Sequence, residues 1–279
     1  TPAGRGATIR PMSIIDFHTH AFPDALAARA IAALEAEIED RYSARLDGRV
    51  DSLLASMDAA GIGRAVVCPI ATKPKQFEGI LEWDLSIRSE RLIPLGSVHP
   101  DAADVAGEVR RVADAGLIGL KLHPMYQQFA VDEPRLDPLY AAAAEAGLMI
   151  VLHSGYDIAF DDSDAANPQR IAAVIDRHPD LVLVATHLGG WKDWRRVREH
   201  LAPRKLWIET SYSLDWMSAA DAVDLIRTLG TDRILFGTDS PWADQREEIG
   251  RMKALGLTDA EYDAIFSGNA RRLLASLGV

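Results

Sequence analysis

The sequence has a single cysteine, Cys68, among its 279 residues. One thiol cannot form an internal disulfide, which excludes the disulfide-stabilised secreted classes and suits a reducing cytoplasm. Cys68 lies inside the apolar run AVVCPI, and this position predicts a buried, unreactive thiol rather than a nucleophile. We therefore expect a cytoplasmic protein whose chemistry does not depend on cysteine.

Basic residues and long apolar stretches are also scarce. Lys and Arg number 30 against 41 Asp and Glu, which gives a net charge of −11 at pH 7. The sequence has no basic stripe, so a nucleic-acid partner is excluded, and it has no apolar run long enough to span a bilayer. Residues 1–12 lack the apolar segment of a signal peptide and are predicted to form a loose leader.

Residues 13–279 repeat one pattern, in which short aliphatic runs alternate with longer Ala-rich stretches that carry Glu and Arg. This alternation is typical of βα units around a parallel sheet. Eight such units without a flexible linker predict a single (β/α)8 TIM barrel over residues 13–279. The eight runs are 13–18, 64–70, 92–98, 117–123, 148–154, 181–187, 205–211 and 233–239.

Helix signals support this count. Gly116 and Gly147 follow helical stretches and are placed to end them just before the next strand. An open doubly wound sheet is disfavoured, because no G-x-G-x-x-G turn follows the first strand. The segment from Pro23 to Gly61 is predicted to be mostly one long helical stretch without a large lid, and its face from Ala25 to Leu46 offers a homodimer interface.

Polar residues concentrate at the predicted carboxyl ends of the strands, where barrel enzymes carry their active sites. Six of the eight histidines lie there, which a random surface distribution does not explain. A lone histidine at a strand end is often structural, and we expect His99 and His123, each followed by proline, to be structural or to contact substrate. His178 and His200 end predicted helices. The residues at the strand ends are His18, His20, His99, Lys121, His123, His153, His187 and Asp239.

His18 and His20 are two positions apart on an extended strand, so both imidazoles point to one face. One cation can bind both, and His153 with Asp239 would complete a site of imidazole and carboxylate that leaves a position open for water. Alternation also places Asp16 on that face. There it either orients a ligand imidazole or is satisfied by other groups.

Five segments in order resemble the amidohydrolase superfamily, and within it the amidohydrolase-related group that contains aminocarboxymuconate-semialdehyde decarboxylase and the resorcylate-type decarboxylases. The segments are DFHTH, VLHSG, ATHLGG, LFGTDSPW and GNARRLL. The resemblance implies that His18, His20, His153 and Asp239 bind one divalent ion, usually zinc, with manganese or iron as alternatives. It implies an acid/base or substrate-polarising role for His187.

Lys121 decides the number of metal ions in this interpretation. Related binuclear enzymes carry a carboxylated lysine at the end of strand four that bridges two metals. Lys121 lies on that strand but deeper than its last residue. We therefore expect one ion, with Lys121 unmodified and either ion-paired or in contact with an anionic substrate.

Two reactions fit these residues. A bound divalent ion lowers the pKa of its water to about 7, so Asp239 and His187 could assist hydrolysis of a small amide, ester or lactone. The same residues permit non-hydrolytic decarboxylation of a small unsaturated or aromatic acid. The short loops favour the hydrolase, with Lys121, His123, Tyr126 and Trp191 as candidate contacts to an acidic or ring-bearing substrate. A non-catalytic metal- or ligand-binding barrel is the third alternative.

Overall fold

The computed structural model describes residues 13–38, 42–160 and 163–279. The predicted leader, residues 1–12, lies outside the described residues. No helix in the described part of the chain is long and apolar enough to cross a membrane. Cys68 is buried as predicted, and burial raises the pKa of its thiol to about 12.

Eight parallel strands form a closed barrel, as the sequence predicts. The paired strands fall into two groups, β1–β2–β3 and β4–β8, and a bridge between Gly96 and Leu120 joins them on one side. On the other side, Phe17 N donates to Phe236 O and Asp239 N donates to His18 O, both at 2.8 Å. The strands are β1 (Ile14–Thr19), β2 (Ile62–Val67), β3 (Leu92–Pro94), β4 (Gly119–Leu122), β5 (Met149–Leu152), β6 (Val182–Ala185), β7 (Trp207–Glu209) and β8 (Ile234–Leu235).

Helices follow the strands and cover the outside of the barrel. Gly116 and Gly147 have φ angles of 76° and 67°, left-handed values that glycine adopts without steric cost, and they follow the ends of two helices as predicted. The helices are α1 (Asp24–Glu37), α2 (Val50–Ala60), α3 (Phe77–Ile87), α4 (Val105–Asp114), α5 (Asp137–Glu145), α6 (Pro168–Arg177), α7 (Trp194–His200), α8 (Ala219–Leu229), α9 (Gln245–Lys253), α10 (Asp259–Asp263) and α11 (Asn269–Ser276).

The core has two parts, as expected for strands that are buried on both faces. One lies between the strands and the surrounding helices. The other fills the barrel interior with side chains such as Phe17, Val151 and Val184, and Leu273 of α11 closes its lower end. Strand β4 also carries Lys121, a large polar side chain that is fully buried above this apolar interior.

Strand β1 departs from strict alternation. Its register with β2 shifts between Asp16 and Thr19. Asp16 consequently accepts hydrogen bonds from Thr238 Oγ1 at 2.6 Å and Gln245 Nε2 at 2.8 Å, rather than from an imidazole. Of the two predicted roles for Asp16, orientation of a ligand imidazole is therefore wrong; other groups satisfy it.

The segment after β1 also differs from the prediction. Helix α1 ends at Glu37, and residues 42–49 are not helical, so a single long helical stretch from Pro23 to Gly61 is wrong. The chain turns back instead, and Phe22 N donates to Gly48 O at 2.8 Å. The Tyr126 hydroxyl donates a hydrogen bond to the Glu37 carboxylate at the end of α1, and a second side-chain hydrogen bond joins Tyr42 and Tyr212. The segment therefore forms a wall over the mouth that the sequence analysis did not expect.

Asp84 on α3 is a buried acid whose two carboxyl oxygens have no hydrogen-bond partner among the described residues. Burial raises the pKa of Asp84 to about 8. As pH rises from about 4 to about 8, the unfolded chain loses a proton that the folded chain retains. Asp84 should therefore lower the free energy of unfolding by up to about 1.4 kcal/mol per pH unit in this range.

We expect Asp84→Asn to remove this pH dependence and to be more stable than the native chain at pH 8. Urea denaturation at pH 5 and pH 8 measures the difference. Glu82→Gln is the matched control, because Glu82 lies exposed on the same helix. Equal pH dependence in all three proteins would show that the Asp84 carboxyl is not protonated in the folded chain.

Candidate metal centre

Three predicted metal ligands meet at the carboxyl ends of β1 and β8. His18 Nε2 lies 3.1 Å from His20 Nε2, and Asp239 Oδ1 lies 3.1 Å from His20 Nε2 and 3.5 Å from His18 Nε2. The strand register brings these atoms together, since Asp239 N donates to His18 O across the barrel seam. These three residues form a group whose ligand atoms all lie within 4.8 Å of one another.

Oxygen atoms behind the two imidazoles fix their orientation. His18 Nδ1 lies 3.1 Å from Glu209 Oε1 and 3.0 Å from Ser211 Oγ, while His20 Nδ1 lies 2.7 Å from Cys68 O. With the proton on each Nδ1, both Nε2 atoms present a lone pair to the centre. Burial and the neighbouring Lys121 ammonium also hold the pKa of His18 well below its usual value, so this imidazole is neutral.

These residues fit a divalent metal ion. With both Nδ1 atoms protonated, two imidazole lone pairs and a carboxylate oxygen face one another within 3.5 Å, and a cation among them would offset their repulsion. Neutral imidazole and carboxylate are the donors that zinc and manganese take. Burial alone would raise the pKa of Asp239, but its contact with the His20 imidazole and the nearby Lys121 ammonium lower it, which favours the ionised carboxylate.

His153 and His187 lie beside this centre and contact each other. His187 Nε2 is 3.2 Å from His153 Nδ1, and the His187 and His18 ring centroids are 5.5 Å apart. His153 stacks on His123 with a centroid distance of 4.0 Å and forms a second group with His123 and Asp157. The structure thus brings three of the four predicted ligands together, and His153 as the fourth ligand stays a prediction.

The loops that follow β6, β7 and β8 contain residues with strained backbone conformations. His187, Tyr212 and Asp239 have φ angles of 58°, 51° and 67°, a left-handed conformation that costs side-chain-bearing residues energy. Each follows a different strand, β6, β7 or β8. Because such strain persists only where surrounding contacts impose it, these loops hold their side chains in fixed positions at the mouth.

Lys121 is fully buried, and its Nζ lies 3.1 Å from His18 Nε2. No carboxylate in the described part of the chain forms an ion pair with it, so the predicted buried ion pair is absent there. Burial lowers the pKa of Lys121, although nearby acids partly offset this effect. Contact with an anionic substrate is the expectation that remains open for this residue.

The other predicted contacts divide into cavity residues and structural residues. Tyr126, Trp191 and His123 line the cavity above the centre, and His123 Nε2 lies 3.3 Å from Asp157 Oδ2. His99 does not line this cavity; its Nδ1 accepts a hydrogen bond from Asp101 N. His178 and His200 end or follow helices, as expected.

Sequence analysis did not single out Glu209, Ser211 or Asp157. Glu209 and Ser211 lie two positions apart in the apolar run LWIETS, and a charged residue inside a strand is a signal that could have identified them. Glu209 Oε1 also accepts a hydrogen bond from His187 N at 2.9 Å, so one carboxylate supports both His18 and His187. Asp157 follows β5 without a comparable signal.

A cavity of about 710 Å³ extends from the metal centre toward α1 and α3. Most of its walls are aromatic or aliphatic. Within the part of the chain that the structure describes, the charged residues that line it are three cations and two acids, although acids predominate in the whole chain. They are Arg29, Lys75, Lys121, Asp157 and Asp239.

A closed barrel with imidazoles and a carboxylate at the carboxyl ends of its strands defines a metal-dependent barrel enzyme. The chain belongs to the amidohydrolase family: the Amidohydro_2 family model, described as amidohydrolase, matches residues 15–275. The resemblance drawn from the five sequence segments is thereby confirmed. A search of curated proteins found no significant match.

Several solved structures share this fold. A Tim-barrel protein from Bordetella bronchiseptica is 23% identical, with a TM-score of 0.79 and coverage of 95% of this chain and 99% of that chain. The 5-carboxyvanillate decarboxylase LigW from Sphingomonas paucimobilis is 16% identical, with a TM-score of 0.71 and coverage of 95% and 99%. A dihydroxybenzoic acid decarboxylase from Polaromonas with bound manganese is 15% identical, with a TM-score of 0.68 and coverage of 94% and 97%.

Proposed function

We propose that this chain is a metal-dependent decarboxylase of an aromatic carboxylic acid. The observation that carries the proposal is the buried Lys121 ammonium, which lies beside the His18, His20 and Asp239 cluster and has no carboxylate ion-pair partner among the described residues. A buried charge needs a counter-ion, and a substrate carboxylate would supply it. The decarboxylases with similar structures support this reaction over the hydrolysis that the short loops favoured.

His18, His20 and Asp239 would hold the ion, with His153 as the fourth ligand. When bound, the ion supplies a Lewis acid that fixes the acidic substrate and withdraws charge from it. Zinc is the metal that the sequence resemblance implies, but the manganese bound by the Polaromonas enzyme makes manganese the first metal to test. Glu209 and Ser211 keep His18 in the tautomer that binds a metal.

Asp239 is the residue that we assign to carry the proton. Its Oδ1 faces both imidazoles, and a carboxylate has a second oxygen that can hold a proton. Asp239, which is ionised in the free chain, would first take one proton from water and pass it to the ring carbon; the bond between that carbon and the carboxylate then breaks and carbon dioxide leaves, so each turnover consumes one proton from solvent. The electron pair of the broken bond stays on the ring carbon and restores aromaticity.

Lys121 and His187 would position the departing carboxylate, and the aromatic walls would hold the ring. Tyr126, Trp191 and Tyr212 border the cavity and present apolar faces to it. An apolar wall favours the conversion of a solvated carboxylate into neutral carbon dioxide, because it stabilises the uncharged product more than the anion.

The test is a panel of hydroxybenzoates and carboxyvanillate-type acids with manganese-loaded and zinc-loaded protein. We expect release of one carbon dioxide for each acid consumed, loss of this activity with a chelator, and recovery when the metal is restored. Small lactones, esters and amides are assayed in parallel. Their hydrolysis without carbon dioxide release would establish a hydrolase, and inactivity on all substrates with tight ligand binding would establish a binding barrel.

A further inference from the structure

The cavity above the metal centre has a second part that the proposed reaction does not use. It extends between α1 and α3, where Leu26, Ala30 and Leu34 of α1 and Ile80 and Trp83 of α3 line it. We call this part the apolar arm. Both sets of residues recur at helical spacing of three or four, so each helix presents one continuous face to the arm.

Small residues keep the apolar arm open. Ala30 and Ala33 line it on α1, and Gly79 lines it on α3. A Cβ added at Gly79 would meet no atom within 4 Å, so the space beside this glycine is not filled by the protein. Gly79 is the third residue of α3, and glycine within a helix costs up to about 1 kcal/mol relative to alanine, so the missing side chain is not explained by helix stability.

The size and chemistry of the cavity indicate its occupant. A volume of about 710 Å³ falls in the range of sites that enclose drug-sized ligands, and a single substituted ring fills only part of it. Among the described residues, the acids that line the cavity are Asp157 and Asp239, and both lie at the end near the metal centre. Arg29 of α1 and Lys75 just before α3 also line the cavity, but both residues are exposed to solvent. The apolar residues on the facing sides of α1 and α3 therefore suit an extended apolar group that is continuous with the head at the metal centre.

We propose that the substrate is an aromatic acid with an extended apolar substituent, which lies in the apolar arm while the acidic ring lies at the metal centre. The position of the acidic ring rests on the proposed function. Binding in the apolar arm does not require turnover. The arm is continuous with the metal centre in one cavity, which favours a substrate over a second copy of the chain as its occupant.

Calorimetry with metal-loaded protein tests the proposal with 2-hydroxybenzoates that carry alkyl chains from methyl to hexyl, in one series at ring position 4 and in another at position 5. Each buried methylene raises affinity about fourfold. If half of the hexyl chain is buried, we expect the hexyl compound of at least one series to bind about 60-fold more tightly than the unsubstituted acid. No dependence on chain length in either series would overturn the proposal.

Gly79→Leu places a side chain in the open space and should reduce the ratio of hexyl to unsubstituted affinity to less than about fivefold. Gly250→Leu is the matched control, because Gly250 also lies exposed in a helix with no atom within 4 Å of an added Cβ, but outside the cavity. Ala33→Leu provides a second test on α1, with Ala32→Leu as its control. Equal ratios in test and control variants would also overturn the proposal.

The experiment separates this inference from the proposed reaction. If short acids release carbon dioxide but chain length has no effect on affinity, the proposed decarboxylase activity stands and the apolar arm has no role in substrate binding. Binding that depends on chain length without turnover of any acid would do the reverse. Dimerisation that Ala33→Leu disrupts, with no effect of chain length on binding, would assign the arm to a second copy of the chain instead.

Discussion

Asp239→Asn is expected to lower kcat for any acid that the protein decarboxylates by about 10³-fold, while the fold remains intact. Asparagine retains the shape of the side chain and one oxygen that can face the imidazoles. It cannot take up and release a proton at neutral pH, and loss of general acid–base catalysis costs about 10²- to 10⁴-fold. The Asp239 backbone is held by its own hydrogen bond to His18 O, so the loop should keep its conformation.

Asp239 also faces the metal, so kcat must be compared at saturating metal and with measured metal content. Asp180→Asn is the matched control, since Asp180 is exposed and lies away from the cavity. An Asp239→Asn protein with one bound ion and native kcat would remove Asp239 from proton transfer. A variant that has lost its ion would establish a ligand role without deciding the proton carrier.

The ligand cluster could be predicted from sequence because the topology of the barrel determines which residues are neighbours. Parallel strands all end at one rim, so a polar residue at the end of β1 and another at the end of β8 must be neighbours, however far apart they lie in the chain. His18, His20 and Asp239 meet this condition, and their ligand atoms lie within 3.5 Å. The eight strands were predictable for a related reason, since each is a short aliphatic run between helices.

The contacts behind the ligands could not be predicted in the same way. Which carboxylate supports His18 depends on the stagger of β7 against β1 and on the register shift within β1. Strict alternation made Asp16 a candidate to orient a ligand imidazole. In the structure Asp16 accepts a hydrogen bond from Thr238, and Glu209 is the carboxylate that contacts His18 Nδ1. A one-residue change of register is invisible in a hydrophobic pattern and reverses the side of the strand on which a residue lies.

The position of α1 is a second feature that depends on distant contacts. Its Ala-rich composition predicts a helix, but not that the end of this helix and the residues after it connect to the loops following β4 and β7. Those connections are the hydrogen bonds of Glu37 with Tyr126 and of Tyr42 with Tyr212. The absence of a large lid was the reason to prefer hydrolysis, and this wall over the mouth, whose α1 residues line the cavity, removes that reason.

Lys121→Met is expected to lower kcat/KM for acidic substrates by about 100-fold, mainly through a higher KM, and to leave about one metal ion per chain. A charge-assisted hydrogen bond to a substrate carboxylate contributes about 1.5–3 kcal/mol, which is roughly a 10- to 150-fold change in binding. Methionine is close to lysine in length and fits an apolar site. The free variant should also be more stable, by about 1–2 kcal/mol, because it removes a buried ammonium that has no carboxylate partner among the described residues.

Metal analysis of the native and Lys121→Met proteins decides between an unmodified lysine and a bridging carbamate. One ion in both proteins, together with a higher KM, is the result that substrate binding by Lys121 requires. Two ions in the native protein, falling to one or none in the variant and rising with added bicarbonate only in the native protein, would contradict it. Lys253→Met is the control, since Lys253 is exposed on α9 and a general loss of positive charge there should change neither KM nor metal content.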